Sequence, residues 1–303
     1  MGPGELDLSL NAERFSGFAD LYDDVRPTPP ADLAVMLCEY ARVDRPALVV
    51  DLGSGSGLST RWAAGWAEHI VGVEPNADMR LAATRAGTTN MEFVNGLSHQ
   101  TGLPDGCADI VMAVQSLHWM EPESTFAEVA RVLRPDGVFA AIDCDWPPLI
   151  GDAQSEAEWD RCHARARRGE DALAAGLRGD ALLHSLDIDF DAVDSTLHGW
   201  DAGEHRRVAV GVHRWGKDTH LGRMRASGKF TISRELGLHT TELGDADRFV
   251  DLLRSQGGVQ SLLAHGITEE QLGILALHDT CEAAIGTAPH PMRFSYRARI
   301  GLT

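Results

Sequence analysis

Residues 47–57 have the sequence ALVVDLGSGSG, and this stretch decides the fold. Ala47–Leu52 is a mostly apolar run of strand length that ends directly in glycines at positions 53, 55 and 57. The next residues, LSTRWAAGWAEH, have a helical pattern. A buried strand that turns through glycines into a helix predicts an α/β unit in which the free N–H groups at the start of the helix can bind a ligand.

Strand and helix patterns alternate from about residue 29 to residue 143, which is typical of a mostly parallel sheet with crossover helices. Two later segments alternate with period two and predict strands that close the sheet with an antiparallel edge. The sequence therefore predicts an α/β, Rossmann-like, seven-stranded and mostly parallel sheet with helices on both faces. The other six predicted strands are Ile70–Glu74, Met91–Asn95, Asp109–Gln115, Val138–Asp143, Phe230–Leu238 and Phe294–Leu302.

The chain divides into three predicted parts. Residues 1–150 contain an N-terminal segment and the ligand-binding core. Residues 151–228 lose the alternation and are rich in Trp, His and Arg, so we expect a mainly helical cap inserted over the carboxyl edge of the sheet. Residues 229–303 complete the core sheet, with helices expected at 245–264 and 269–284.

Composition limits the kinds of partner. The 27 Lys and Arg against 45 Asp and Glu give a net charge of −18, which opposes binding to nucleic acid. Five widely spaced cysteines favour neither a disulfide framework nor a zinc site, and no apolar run has the length of a membrane span. We expect a cytoplasmic protein without nucleic-acid or membrane partners, and a homodimer stays open.

The glycine spacing excludes two kinds of nucleotide site. A dinucleotide-binding fingerprint that starts at Gly53 requires glycine at position 58, where this chain has Leu58. The lysine of a phosphate-binding loop is also missing after the glycines. Glu74 ends the second predicted strand, 21 positions after Gly53. A carboxylate at this position can accept hydrogen bonds from both hydroxyls of a ribose.

In these motifs the chain resembles the class I S-adenosylmethionine-dependent methyltransferases, and within them the small-molecule branch of trans-aconitate methyltransferase-like enzymes. The resemblance covers roughly residues 11–143. It rests on VVDLGSGSG (49–57), VGVEPNADM (71–79), GLSHQTGLPDGCADIV (96–111), EVARVLRPDG (128–137), the N-terminal FSGFADLYDDVRPTPP (15–30) and QSLHWM (115–120).

The resemblance implies that S-adenosylmethionine is the cofactor and that particular residues bind its parts. The residues implied are Asp51, Gly53, Ser54, Gly55 and Gly57 around the methionine moiety, Glu74 at the ribose, Asn76, Met79, Leu97 and Ser98 around the adenine, and Gln115 at the methionine end. The chain departs from the family at 97–100, where LSHQ lacks an acidic residue that is often near the adenine amine.

Several residues are candidates for catalysis or substrate binding. His118 follows the fourth strand and could be a general base, although a pocket wall or a core histidine is the alternative. Tyr22 and Arg26 lie on the N-terminal segment, and Glu170 lies among arginines in the cap. Trp119 and Trp146 are expected to contact the substrate. Asp143 and Asp145 form a DxD pair, but solvated or capping acids explain it better than a metal, so no metal is expected.

These features predict methyl transfer to a small, anionic or aromatic metabolite by in-line displacement, in which the protein mainly aligns the reactants and excludes water. The resemblance suggests O-methylation of a carboxyl group, and methylation at a carbon, a nitrogen or a phenolic oxygen of a specialised metabolite is the alternative, so the accepting atom stays open. One alternative is a catalytically silent cofactor-binding module that assembles partners. Another is a protein or RNA methyltransferase, against which the negative charge weighs in the case of RNA.

Overall fold

The computed structural model describes residues 19–190, 205–209 and 212–303. The strands, in chain order, are β1 (Leu48–Leu52), β2 (His69–Val73), β3 (Met91–Val94), β4 (Ala108–Val114), β5 (Leu133–Leu149), β6 (His205–Ala209), β7 (Val212–Trp215), β8 (Ile232–Gly244) and β9 (His290–Leu302). The helices before β5 are α1 (Ala19–Val25), α2 (Ala31–Ala41), α3 (Leu58–Ala64), α4 (Ala77–Arg85) and α5 (Pro122–Val132). Those after it are α6 (Ala153–Ala174), α7 (Gly179–Ser185), α8 (His220–Ala226), α9 (Ala246–Arg254), α10 (Gly257–Ala264), α11 (Glu269–Leu272) and α12 (Ile274–Ile285).

Seven strands form one sheet in the order β3-β2-β1-β4-β5-β9-β8. The first five are parallel neighbours, and β9 pairs antiparallel with both β5 and β8. The chain leaves β1 in one direction across the sheet and returns to β4 on the other side of β1. Because crevices open at such a reversal, the carboxyl ends of β1 and β4 are the expected place for a ligand.

Side chains alternate between two apolar cores, one on each face of the sheet. On one face Ile110, Met112 and Ile142 pack with helices α2, α6 and α9. On the other face Val111 and Phe139 pack with α5 and with α8. This Rossmann-like arrangement, with helices on both faces and an antiparallel edge, confirms the predicted fold class.

The region between β5 and β8 contains a feature that the sequence interpretation missed. Helices α6 and α7 occupy its first half as expected, but β6 and β7 form an antiparallel hairpin, with His205 opposite Trp215. The expected helix at 245–264 is two helices, α9 and α10, and the expected helix at 269–284 is α11 and α12. Trp159 of α6 is fully buried in the same core as the sheet, so this region packs into the fold.

Among the described residues, no helix combines the length and the apolar composition that crossing a bilayer requires.

Candidate functional site

A cavity opens at the carboxyl ends of β1, β2, β4 and β5. The glycine turn after β1, the end of β2, the segment after β3 and the end of β4 all contribute to its wall. Of the residues predicted to bind the cofactor, those that line it are Gly53, Ser54, Gly55, Glu74, Met79, Leu97, Ser98 and Gln115. The substrate candidates Arg26, Trp119 and Trp146 line it as well. The fold thus brings together residues that are up to 120 positions apart in the sequence.

The glycine turn after β1 is held in a conformation that favours glycine. Gly53, Gly55 and Gly57 have φ values of 66°, 55° and 87°. A Cβ atom on Gly53 would lie 2.8 Å from Cβ of Ser116, so the turn also packs too closely for a side chain there. The hydroxyl of Ser54 is buried in this turn without a hydrogen-bond partner among the described residues. A buried hydroxyl in a cavity wall is suited to a polar ligand.

Glu74 follows β2 and faces the turn. Its carboxylate accepts hydrogen bonds from the backbone N–H of Gly55, at 2.9 Å, and of Asn76, at 2.8 Å. Burial raises the pKa of this carboxyl, and the two backbone hydrogen bonds oppose the shift. Each carboxylate oxygen can accept a further hydrogen bond, so Glu74 has capacity left for a ligand in the cavity.

Asp51 and Gly57 were predicted to touch the cofactor, but neither is among the residues that line the cavity. One oxygen of the fully buried Asp51 accepts hydrogen bonds from Ser59 and Thr60, both at 2.7 Å. Burial raises the pKa of Asp51 to about 7. Asp51 therefore ties the end of β1 to the first turn of α3, beneath the glycine turn.

Asn76 also stays outside the lining, and its side chain caps α4. Its Oδ1 accepts from the backbone N–H groups of Asp78 and Met79, at 2.9 and 3.0 Å. This is a common helix cap, which the sequence interpretation had taken as an adenine contact. In the segment after β3, the Ser98 hydroxyl lies 2.9 Å from that of Thr125, and His99 adds a lining residue that was not predicted.

Gln115 connects this cavity to the cap. It directly follows β4 and has a φ of 55°, a left-handed conformation that is unusual for a residue with a side chain. Its amide nitrogen donates to the Cys144 carbonyl at 3.2 Å, and its Oε1 accepts from Nζ of Lys217 at 2.7 Å. The side chain is therefore fixed from two sides.

A second cavity adjoins the first, and both are lined by Arg26, Gln115, Trp119 and Trp146. The Arg26 guanidinium lies 4.7 Å from the ring centre of Trp146 and donates to the hydroxyl of Ser255 at 2.9 Å. The four shared residues mark the junction between a glycine-lined space and a space bounded by the cap.

The second cavity contains the other candidates and several residues that were not predicted. His118 and Glu170 line it, and both are buried. Tyr22 belongs to α1, but its side chain lies outside the described residues. The lining also includes four basic side chains that the sequence interpretation did not assign to the site: His163, Arg167, Arg214 and Lys217.

Asp143 lies behind these residues in a buried charge network. Its carboxylate pairs with Arg299 at 2.5 Å and with Lys217 at 3.2 Å, and Nδ1 of His118 lies 3.9 Å from it. Next to the network, burial lowers the pKa of His220 to about 4, so His220 is neutral at physiological pH. Asp145, the other half of the DxD pair, pairs with Arg297 at 2.7 Å. Both acids are thus neutralised by cations, and no group of three or more potential metal ligands occurs within the described residues.

Distance along the chain explains why the contacts that Lys217 and Tyr296 make at the two cavities were not predicted. Lys217 is 102 positions from the Gln115 side chain that it contacts. Tyr296 lines the first cavity and donates to the Thr28 carbonyl, which is 268 positions away. A local motif carries no signal for contacts of this kind.

Known proteins are similar to the part of this chain that forms most of the first cavity. Residues 50–141 match the family described as methyltransferase domain. An uncharacterized methyltransferase of Mycobacterium tuberculosis is 33% identical over 132 residues, which are 43% of this chain and 51% of that protein. A Saccharomyces cerevisiae protein named "Probable S-adenosylmethionine-dependent methyltransferase" is 26% identical over 39% of this chain and 43% of its own length. The chain spans about half the length of the curated relatives it matches.

A solved structure extends the similarity to almost the whole fold. The structure of a protein assigned as a type II methyltransferase from Anaeromyxobacter dehalogenans superposes with a TM-score of 0.59 and 22% identity, over 91% of this chain and 97% of that one. The chain therefore has a Rossmann-like methyltransferase fold, and its residues 50–141 match the family described as methyltransferase domain.

Proposed function

We propose that the protein transfers a methyl group from S-adenosylmethionine to a small-molecule acceptor. One observation carries the proposal: a glycine-lined cavity at the carboxyl ends of the parallel strands opens into a second, cationic cavity through four shared residues. Two adjoining spaces of different chemistry suit a reaction between two different ligands. The small-molecule branch and a place in specialised metabolism belong to this proposal.

The first cavity fits the cofactor. Glu74 has acceptor capacity for the two ribose hydroxyls, and the buried Ser54 hydroxyl lacks a partner among the described residues. Met79 and Leu97 offer apolar surface of the kind that a purine ring requires, and Ser98 is the polar group beside it. The positive φ angles of the glycine turn let the backbone approach the ligand closely.

Bound S-adenosylmethionine would supply a methyl group on a sulfonium: a lone pair of the acceptor forms the new bond to carbon, the carbon–sulfur bond breaks, and its electron pair stays on sulfur. The protein contributes alignment and exclusion of water, which in oriented reactions can be worth about 7 to 11 kcal/mol. Gln115, Trp119, Trp146 and Arg26 line both spaces, so they hold the two reactants at the junction.

His118 is the candidate proton acceptor when the nucleophile is a hydroxyl or an amine. It lines the second cavity, and its Nδ1 lies 3.9 Å from the carboxylate of Asp143. Tyr22 and Glu170 remain candidates for catalytic roles.

The experiment is to incubate the protein with S-adenosylmethionine carrying a labelled methyl group and an extract of its source. The proposal predicts one small molecule that gains a single labelled methyl. Label on protein or RNA alone would instead support a macromolecular acceptor. Cofactor binding without any labelled product would support a silent binding module.

A further inference from the structure

The second cavity has a charge opposite to that of the whole protein. Within the described part of the chain, its lining contains one carboxylate, Glu170, and four cationic side chains: Arg26, Arg167, Arg214 and Lys217. The chain as a whole carries a net charge of −18. Cations gathered in a partly buried space repel one another, and burying each of them costs free energy unless an anion compensates it.

Two of these cations are deeply buried. The side chains of Arg167 and Lys217 belong to residues that are each only 4% exposed. Lys217 pairs with Asp143 at 3.2 Å, but Asp143 also pairs with Arg299 at 2.5 Å, so this one carboxylate is shared between two cations. Around this shared carboxylate, the described lining has more cations than carboxylates.

The other two cations are held on the aromatic rings of the junction. The Arg26 guanidinium lies 4.7 Å from the ring centre of Trp146, and that of Arg214 lies 5.5 Å from the ring centre of Trp119. Stacking of this kind fixes the orientation of a guanidinium and leaves its positive charge in place. The cations thus surround an acceptor space with aromatic walls.

We propose that this cavity binds an anionic oxygen group of the acceptor, and that the group anchors the acceptor without receiving the methyl. This inference rests on the proposed function. The four cations and the tryptophans at the junction favour an acceptor with an anion at one end and a flat or apolar body.

The anchoring role follows from the chemistry of an ion-paired anion. Oxygens that accept hydrogen bonds from guanidinium and ammonium groups have their lone pairs engaged and are held as weak bases, so they are poor nucleophiles. The glycine turn and Glu74 line only the first cavity. The reacting atom is therefore at the junction, beside Gln115 and Trp119, and not at the cations.

Benzoate and benzamide test the anion preference because they have nearly the same shape and differ in charge. Binding of each to the purified protein is followed by tryptophan fluorescence. We expect benzoate to bind at least tenfold more tightly than benzamide. Equal affinities, or no saturable binding of benzoate, would overturn the inference.

Substitutions of lining arginines test whether the cavity is the source of the preference for benzoate over benzamide. Arg167→Gln and the less buried Arg214→Gln are expected to bring the two affinities within threefold of each other. Arg168→Gln is the matched control, because Arg168 is an exposed neighbour on α6 that does not line the cavity. The inference is wrong if Arg168→Gln loses the preference equally, or if Arg214→Gln keeps it while melting normally.

The labelled product tests the anchoring role. It is expected to stay bound to an anion-exchange column at pH 8, since the anchor keeps its charge after transfer, and a neutral product would contradict this. Failure of S-adenosylhomocysteine to bind would instead count against the proposed function, while the comparison of benzoate with benzamide decides the anion site independently.

Discussion

Asp51 and Glu74 end adjacent strands, yet their environments give them different tasks. Backbone N–H groups hydrogen-bond the Glu74 carboxylate at the cavity, whereas hydroxyls of Ser59 and Thr60 hydrogen-bond Asp51 beneath the turn. The sequence analysis correctly predicted both acids at strand ends, because an apolar run and the turn that follows it are a local signal. It could not tell which acid faces the cavity, since that depends on how α3 packs over β1.

The buried carboxyl of Asp51 makes the unfolding free energy of the protein depend on pH. Its folded pKa of about 7 exceeds the ordinary aspartate pKa of 3.8, so between these values the folded protein retains a proton that the unfolded chain releases. The stabilisation is thus present below about pH 4 and is lost as the pH rises to about 7. The full change is on the order of 4 kcal/mol.

The isosteric variant Asp51→Asn removes this titration. From pH 4.5 to pH 7.5, we expect the unfolding free energy of the wild type to fall by several kcal/mol relative to that of the variant. Urea unfolding at both pH values measures this change. A difference that does not change over this range would mean that Asp51 is ionised in the folded protein.

Substitution of His118 tests whether this residue is a general base or only part of the cavity wall. If it accepts the proton, His118→Gln lowers kcat by about 100-fold or more, the usual contribution of a general base, while the affinity for S-adenosylhomocysteine stays within twofold. The rate of label incorporation into the acceptor and calorimetry measure these two quantities. An unchanged kcat would assign His118 to the wall.

At the scale of elements, the parallel strands were predictable and the hairpin in the cap was not. Apolar runs followed by glycine or an acid mark β1 and β2 directly in the sequence. The hairpin of β6 and β7 also has alternating residues around Val208 and Val212, but its many arginines and histidines suggested a helical surface. Tertiary contacts, which no local pattern records, decide the structure of such a polar segment.

Two helical glycines test the packing of the cap. A Cβ atom on Gly169 of α6 would lie 2.7 Å from a methyl carbon of Leu262 and 2.9 Å from one of Leu186, whereas one on Gly222 of α8 would meet nothing within 4 Å. Overpacking costs about 1 to 3 kcal/mol, against a gain in helix propensity of up to about 1 kcal/mol.

Gly169→Ala is therefore expected to lower the unfolding free energy by about 1 kcal/mol, and Gly222→Ala to raise it by about 0.5 kcal/mol. Urea unfolding of both variants gives the comparison. Stabilisation by Gly169→Ala would show that α6 is not packed tightly against α10.

For the whole molecule, the shared core predicts one cooperative unit. Trp159 of the cap packs in the same cluster as Phe249 and Phe294 of the C-terminal part, and β9 lies between β5 and β8. Residues predicted as three parts are therefore expected to unfold in one transition, with tryptophan fluorescence and far-ultraviolet circular dichroism coinciding. A separate early transition of the cap would contradict this.

The central claim is that the first cavity binds the cofactor through Glu74. Calorimetric titration with S-adenosylhomocysteine tests it most directly, with Glu92→Ala as control, since Glu92 is an exposed acid on β3 outside the cavity. The account predicts that Glu74→Ala weakens binding at least tenfold, about 1.4 kcal/mol, while Glu92→Ala stays within twofold of wild type. Wild-type affinity in a folded Glu74→Ala protein would contradict it.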